Sequence, residues 1–204
     1  MPFTECTLVL IKPDAVTRGL TGEILNRFER AGLAIVALKL VRPSLEFARQ
    51  HYATTEAQLL QMGNKALSAY DGLDIDPVQE LGTSDPKEAG LMVHEWNAEF
   101  LASGPVVACV IQGVHAVKKV RALCGSTMPK DAQPGTIRGD LSSASNLVGN
   151  SLKSAVYNLI HASDNELDPE EPKKEIAHWF SPEEILNYYL VDSIAMFKLN
   201  KLNV

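Results

Sequence analysis

The stretch Tyr157-Asn158-Leu159-Ile160-His161-Ala162-Ser163-Asp164 reads as a short apolar strand that ends in a histidine and gives way to small and polar residues. Aliphatic residues suit a buried strand, and the Ser and Asp that follow mark where the chain leaves the sheet. A histidine at that point is held from behind by the core and open to solvent in front. Its pKa near neutrality makes it a candidate nucleophile, here for a phosphoryl group. The same placement also fits an ordinary hydrogen-bonded histidine, so the rest of the chain decides its meaning.

Three other segments share this character. Residues 6–11 (CTLVLI) form an apolar run that stops at Lys12-Pro13, because a proline cannot donate to a ladder. Lys12 therefore stands at a strand end, as His161 does. Residues 33–41 and 106–112 are the other two strands. Helical periodicity marks residues 20–31, with Thr21 as cap, and a helix after Ser44 that carries Leu45, Ala48 and Tyr52. It also marks residues 57–69, 95–102, 114–124 and 172–180, with a further start at Ser181-Pro182. Residues 71–90 and 125–139 read as Gly/Pro-rich loops, 141–153 as exposed, and 194–197 as an edge strand. Strand, helix, strand, helices, strand, helix, strand is the ferredoxin-like split βαβ order, an α+β fold. It predicts a four-stranded antiparallel sheet with helices packed on one face.

Composition narrows the classes. The chain has 204 residues, enough for one domain with a sizeable core. A net charge of -6 disfavours a nucleic-acid binder, which needs a basic face, yet leaves room for a local basic cleft. Cys6, Cys109 and Cys124 have no metal-type spacing and imply no disulfide framework, so a reducing compartment is expected. No secretory leader and no membrane-spanning run are evident, which points to a cytoplasmic protein.

Lys12, Arg121, Thr127, Arg138, Asn158 and His161 all fall at element ends or in the long loop after residue 124. Two arginines, a lysine, a hydroxyl and an amide suit a polyphosphate. A P-loop is excluded and the protein-kinase signature set is missing.

At this point the residues carry a resemblance. Ile11-Lys12-Pro13-Asp14-Ala15-Val16, Arg18-Gly19-Leu20, Gly22-Glu23-Ile24, Gln50-His51-Tyr52 and Ser103-Gly104-Pro105-Val106-Val107-Ala108 occur in order. They are followed by Pro134-Gly135-Thr136-Ile137-Arg138-Gly139-Asp140, Asn158-Leu159-Ile160-His161-Ala162-Ser163-Asp164, and Glu175-Ile176 with Trp179-Phe180. This series resembles the nucleoside diphosphate kinase family. The resemblance implies ping-pong transfer of a γ-phosphate from a nucleoside triphosphate to a nucleoside diphosphate through a phosphohistidine at His161. It assigns Lys12, Tyr52, Arg121, Thr127, Arg138 and Asn158 to phosphates and ribose, and Ser163 and Glu175 to support of the histidine. Mg²⁺ would arrive with the nucleotide and need no protein-only metal site, with Asp164 as a water-mediated contact. A homo-oligomer, hexamer or tetramer, is implied, with Pro129 near subunit contacts.

Two segments depart from the family pattern, at about residues 54–97 and 141–155. The family clamps the base between a phenylalanine and a leucine in the first. Counting back from Ser103-Gly104-Pro105 puts Val93 and Asn97 in those places, with His94 and Trp96 as aromatic alternatives. Residues 168–172 lengthen the spacing from His161 to Glu175. Two other classes compete with this one: a nucleotide-binding or scaffolding relative without turnover, and an RNA-binding ferredoxin-like domain. The latter needs stacking aromatics on its central strands, and residues 6–11 and 106–112 have none.

Overall fold

The computed structural model describes residues 4–52, 55–166, 168–188 and 190. Four strands, β1 (Thr4–Ile11), β2 (Ala34–Val41), β3 (Val106–Val114) and β4 (Ile160–Ala162), form one sheet in the order β2-β3-β1-β4. Every pairing is antiparallel. Helices α1 (Pro13–Thr17) and α2 (Thr21–Arg30) follow β1. Then α3 (Leu45–His51), α4 (Glu56–Leu67), α5 (Pro77–Leu81) and α6 (Pro86–Ala102) follow β2. After β3 come α7 (Ala116–Cys124), α8 (Ile137–Leu141) and α9 (Asn146–Ser151), and α10 (Glu171–Trp179) follows β4. The ferredoxin-like expectation holds.

The central strands are apolar without alternation because both faces are covered. Val9, Ile11, Cys109 and Ile111 pack with Ile24 and Phe28 of α2 and Val120 and Cys124 of α7. Leu8, Leu10, Ala108 and Val110 pack on the other side with Ala48 of α3, Ala98 and Leu101 of α6, and Ile176 and Trp179 of α10. Helices on one face alone therefore describe only half of the molecule. A strand buried on both sides has no polar face to show, which is why its sequence signals burial and not sidedness.

Several boundaries differ from the sequence reading. Residues 71–90 are not all loop, since they hold α5 and the start of α6. Asp76 and Asp85 each accept a backbone N–H of the following turn, with proline at the first helical position. Residues 141–153 are not simply exposed: α9 lies there, with Gly149 and Asn150 buried. Residues 125–139 include a 3₁₀ turn at Pro129–Asp131 and the start of α8, capped by Thr136. Thr21 caps nothing, because the helix begins on it and Leu20 precedes it without a side-chain bond. Val114 closes β3, and His115 at φ 52 separates it from α7. Ser181-Pro182 begins a single 3₁₀ turn with a capping box. The edge strand expected at residues 194–197 lies outside the described residues.

Candidate active site

His161 is the middle residue of β4, opposite Leu10 of β1. The strand thus runs one residue past the histidine instead of ending on it. Pairing with buried β1 fixes the backbone, and the pleat turns the side chain away from Ile160 and Ala162, which point into the core. The ring is held at one nitrogen: His161 Nε2 lies 3.0 Å from Glu175 Oε2, on α10. Ser163 Oγ donates to the same oxygen at 2.5 Å and accepts the Leu8 N–H at 3.2 Å. Burial alone would raise the Glu175 pKa. The charge of His161, its bond to the carboxylate, the nearby His51 and the bond from Ser163 together outweigh it and hold the carboxyl at about 2. An ionised carboxylate accepts only, so Nε2 carries the proton and Nδ1 keeps its lone pair.

The loop before β4 is tied to β1 and α1. Lys12 N donates to Leu159 O at 2.9 Å and Leu159 N donates to Asp14 Oδ2 at 3.0 Å. Between those bonds Leu159 sits at φ 70, a conformation that costs a branched residue about 1–3 kcal/mol. Lys12 Nζ donates to Asn158 Oδ1 at 2.9 Å, and Asn158 Nδ2 to Thr127 O at 3.0 Å. Lys12 is 6% exposed. Burial first, and nearby Arg138 second, lower its pKa to about 8, against the pull of Asp14.

Arg138 is spread over four carbonyls: Asn158 O from Nε at 3.1 Å, Ile160 O from Nη2 at 2.6 Å, and Gly125 O and Ser126 O from Nη1 at 2.8 and 3.3 Å. A guanidinium has five N–H donors, so the protein uses four and leaves one. Arg121, on α7, is more open and pairs with Asp164 Oδ2 at 2.6 Å. The Tyr52 hydroxyl is buried and has no partner among the described residues.

These side chains enclose a cavity of about 310 Å³ lined by Lys12, Tyr52, Arg121, Thr127, Arg138, Asn158, His161 and Glu175. Every residue that the sequence assigns to the nucleotide or to support of the histidine meets at this cavity except Ser163, which lies behind Glu175. Val93, Trp96 and Asn97 of α6 also line it. His94 does not, because its Nε2 is bonded to Tyr52 O at 2.9 Å.

His51 is the neighbour that sequence reasoning quoted without assigning. Its ring meets the His161 ring edge-on, with centroids 4.7 Å apart, and its Nδ1 accepts from Trp179 Nε1 at 3.2 Å. Burial, and then the charge of His161, push its pKa well down. The one signal for it in the sequence is that His51 falls inside Gln50-His51-Tyr52, one of the motifs that carry the resemblance. Among the described residues, His51, His161 and Glu175 form a group whose ligand atoms lie within 4.8 Å of one another. His161 and Glu175 already satisfy each other and Trp179 occupies one His51 nitrogen, so the group holds a proton as it stands. For Mg²⁺, the other cavity carboxylates are Asp164 and Glu171. Two oxygen ligands suit an ion that brings phosphate and water with it.

A ferredoxin-like sheet that sets a carboxylate-held histidine beside two arginines and a lysine defines a phosphate-handling domain. The comparisons give the family. The nucleoside diphosphate kinase model matches residues 5–62 and 86–185. The nucleoside diphosphate kinase of Pyrobaculum aerophilum is 47% identical over 89% of this chain and 98% of its own. That of Pyrococcus furiosus is 38% identical over 92% and 90%. The crystal structure of the Pyrobaculum aerophilum NDP kinase superposes with a TM-score of 0.85 over 90% of this chain and all of its own, at 46% identity. A transition-state mimic of the Borrelia burgdorferi enzyme with vanadate and ADP gives 0.74 at 36% identity, over 96% and 98%. A Halobacterium salinarum enzyme with CDP gives 0.64 at 32%, over 95% and 97%. The chain belongs to the nucleoside diphosphate kinase family.

Proposed function

We propose that this chain transfers the γ-phosphate of a nucleoside triphosphate to a nucleoside diphosphate through a phosphohistidine at His161. The observation that carries the reading is the His161 Nε2–Glu175 pair, which leaves Nδ1 as the nucleophile. In the first half-reaction the Nδ1 lone pair forms a bond to the γ-phosphorus while the bond from that phosphorus to the bridging oxygen breaks, and the diphosphate leaves. Nε2 keeps its proton and Glu175 balances the charge that the ring gains. In the second half-reaction the terminal oxygen of an incoming diphosphate takes the phosphoryl group and the imidazole is restored. Lys12, Arg121 and the remaining donor of Arg138 neutralise the phosphate oxygens, which is most of what this chemistry needs. Tyr52, Thr127 and Asn158 orient phosphate and ribose. Mg²⁺ bound with the nucleotide would be held from the protein side by Asp164 and would neutralise charge on the phosphates.

The leucines Leu38 and Leu40, exposed on β2 at one sheet edge, support a homo-oligomer. Among the described residues no helix is long and apolar enough to cross a membrane, in line with a cytoplasmic setting.

The test is to incubate the protein with γ-labelled ATP and Mg²⁺ and then chase with GDP, beside His161→Ala. Acid-labile, alkali-stable label on the wild type alone that leaves with GDP is the expected result. Label that persists in the variant, or never forms although nucleotide binds, overturns the reading.

A further inference from the structure

The nucleotide reading assigns Lys12, Arg121 and Arg138 to phosphate and leaves part of the cavity wall without a ligand. That part is Met62 and Lys65 of α4, Trp96 of α6, and Asn146 and Asn150 of α9. Two side-chain amides lay α9 against the end of α4: Asn146 Nδ2 donates to Lys65 O and Asn150 Nδ2 to Ala66 O, both at 2.9 Å. A carbonyl accepts only, so each amide must turn its nitrogen toward α4. The end left for a ligand is the oxygen in both cases. The wall then combines an apolar surface, two acceptors and the Lys65 ammonium. Among nucleobase edges, guanine matches this set, with ring N–H and amino donors beside the O6 acceptor. Uracil and thymine have no amino group, and adenine has no carbonyl.

We propose that this wall is a base-reading subsite that favours guanine. Asn146 and Asn150 accept from its amino and ring N–H edge, Lys65 donates to O6, and Trp96 with Met62 covers the ring. The assignment rests on the nucleotide reading of the same cavity. Lys65 falls in residues 63–85, which the family model passes over, so the subsite belongs to chains that carry this segment.

The experiment compares GDP with inosine diphosphate, which is the same molecule without the 2-amino group, as acceptors in kcat/KM. The wild type is expected to favour GDP by about five- to tenfold, the worth of one net hydrogen bond. That ratio is expected to fall to about one in whichever of Asn146→Ala and Asn150→Ala removes the partner of the 2-amino group, while the other asparagine variant and Lys65→Met lower both acceptors together relative to ADP. Equal values for GDP and inosine diphosphate in the wild type overturn the proposal and require no variant to fold. A preference that survives both asparagine changes also overturns it. Calorimetric binding of the two diphosphates to His161→Ala repeats the comparison without turnover. An inactive chain that still distinguishes them thus counts against the phosphohistidine and not against the subsite.

Discussion

Asp14, Leu159 and Lys12 illustrate how a few side chains place the chemistry. The Asp14 carboxylate and the Lys12 amide hold Leu159 in a left-handed turn, and that turn delivers Asn158 to the Lys12 ammonium. With its pKa near 8, Lys12 is charged below that pH and loses its proton as pH rises through it. Diphosphate capture should therefore decline on an alkaline limb of kcat/KM near pH 8, since that parameter reports the free enzyme. Lys12→Arg is expected to move the limb upward, because a guanidinium stays charged. Glu175 has the opposite sign. Its folded pKa of about 2 lies below its ordinary 4.5, so its stabilisation is complete above about pH 4.5 and is lost as pH falls toward 2. Glu175→Gln should flatten the acid decline of the urea midpoint. Without a full charge opposite the ring, turnover should drop about ten- to hundredfold, the scale of a hydrogen bond to a charged group.

At the scale of elements, α4 and α6 form a hairpin through two glycines. A methyl at Gly63 would stand 1.7 Å from Pro86 O and one at Gly90 2.1 Å from Leu59 O. Both contacts are to backbone, which cannot swing aside. Gly63→Ala or Gly90→Ala should force the helices apart, cost about 1–3 kcal/mol, and lower the melting temperature while the pocket loses its α4 and α6 wall. Here the sequence was only partly legible. The strands announced themselves because β1 and β3 are continuous apolar runs, and the polar cluster was visible because each member sits at an element end. Helices α5 and α9 are hidden because they are short: Gly, Asp and Pro around α5, and Gly, Ser and Asn in α9, outweigh their periodicity. Their markers were the caps: Asp76-Pro77 for α5 and Ser145 for α9. His51 escaped because its role lies in a ring contact with His161, and contacts between α3 and β4 leave no local pattern.

For the whole molecule, the edge strand β2 presents Leu38 and Leu40 at 54% and 67% exposed, on the same face by the two-residue period, and Leu186 beside them donates its N–H to Val36 O. Apolar side chains left exposed along a sheet edge suit a contact with a further copy. Leu38→Glu combined with Leu40→Glu is expected to lower the mass seen by sedimentation, and an unchanged mass would locate the contact elsewhere.

The pairing of β1 with β4 also has a consequence in time. The bond from Leu8 N to Ser163 Oγ joins residues 155 apart in sequence, and Lys12 and His161 become neighbours only through that pairing. Such distant pairings form slowly. During synthesis the His161 ring cannot be held by Glu175 until that residue has cleared the ribosome, so a growing chain is expected to stay inert toward nucleotides until then. In refolding from urea, competence for labelling by ATP should lag behind the recovery of helical signal, and the interval between them times the closure of the final strand.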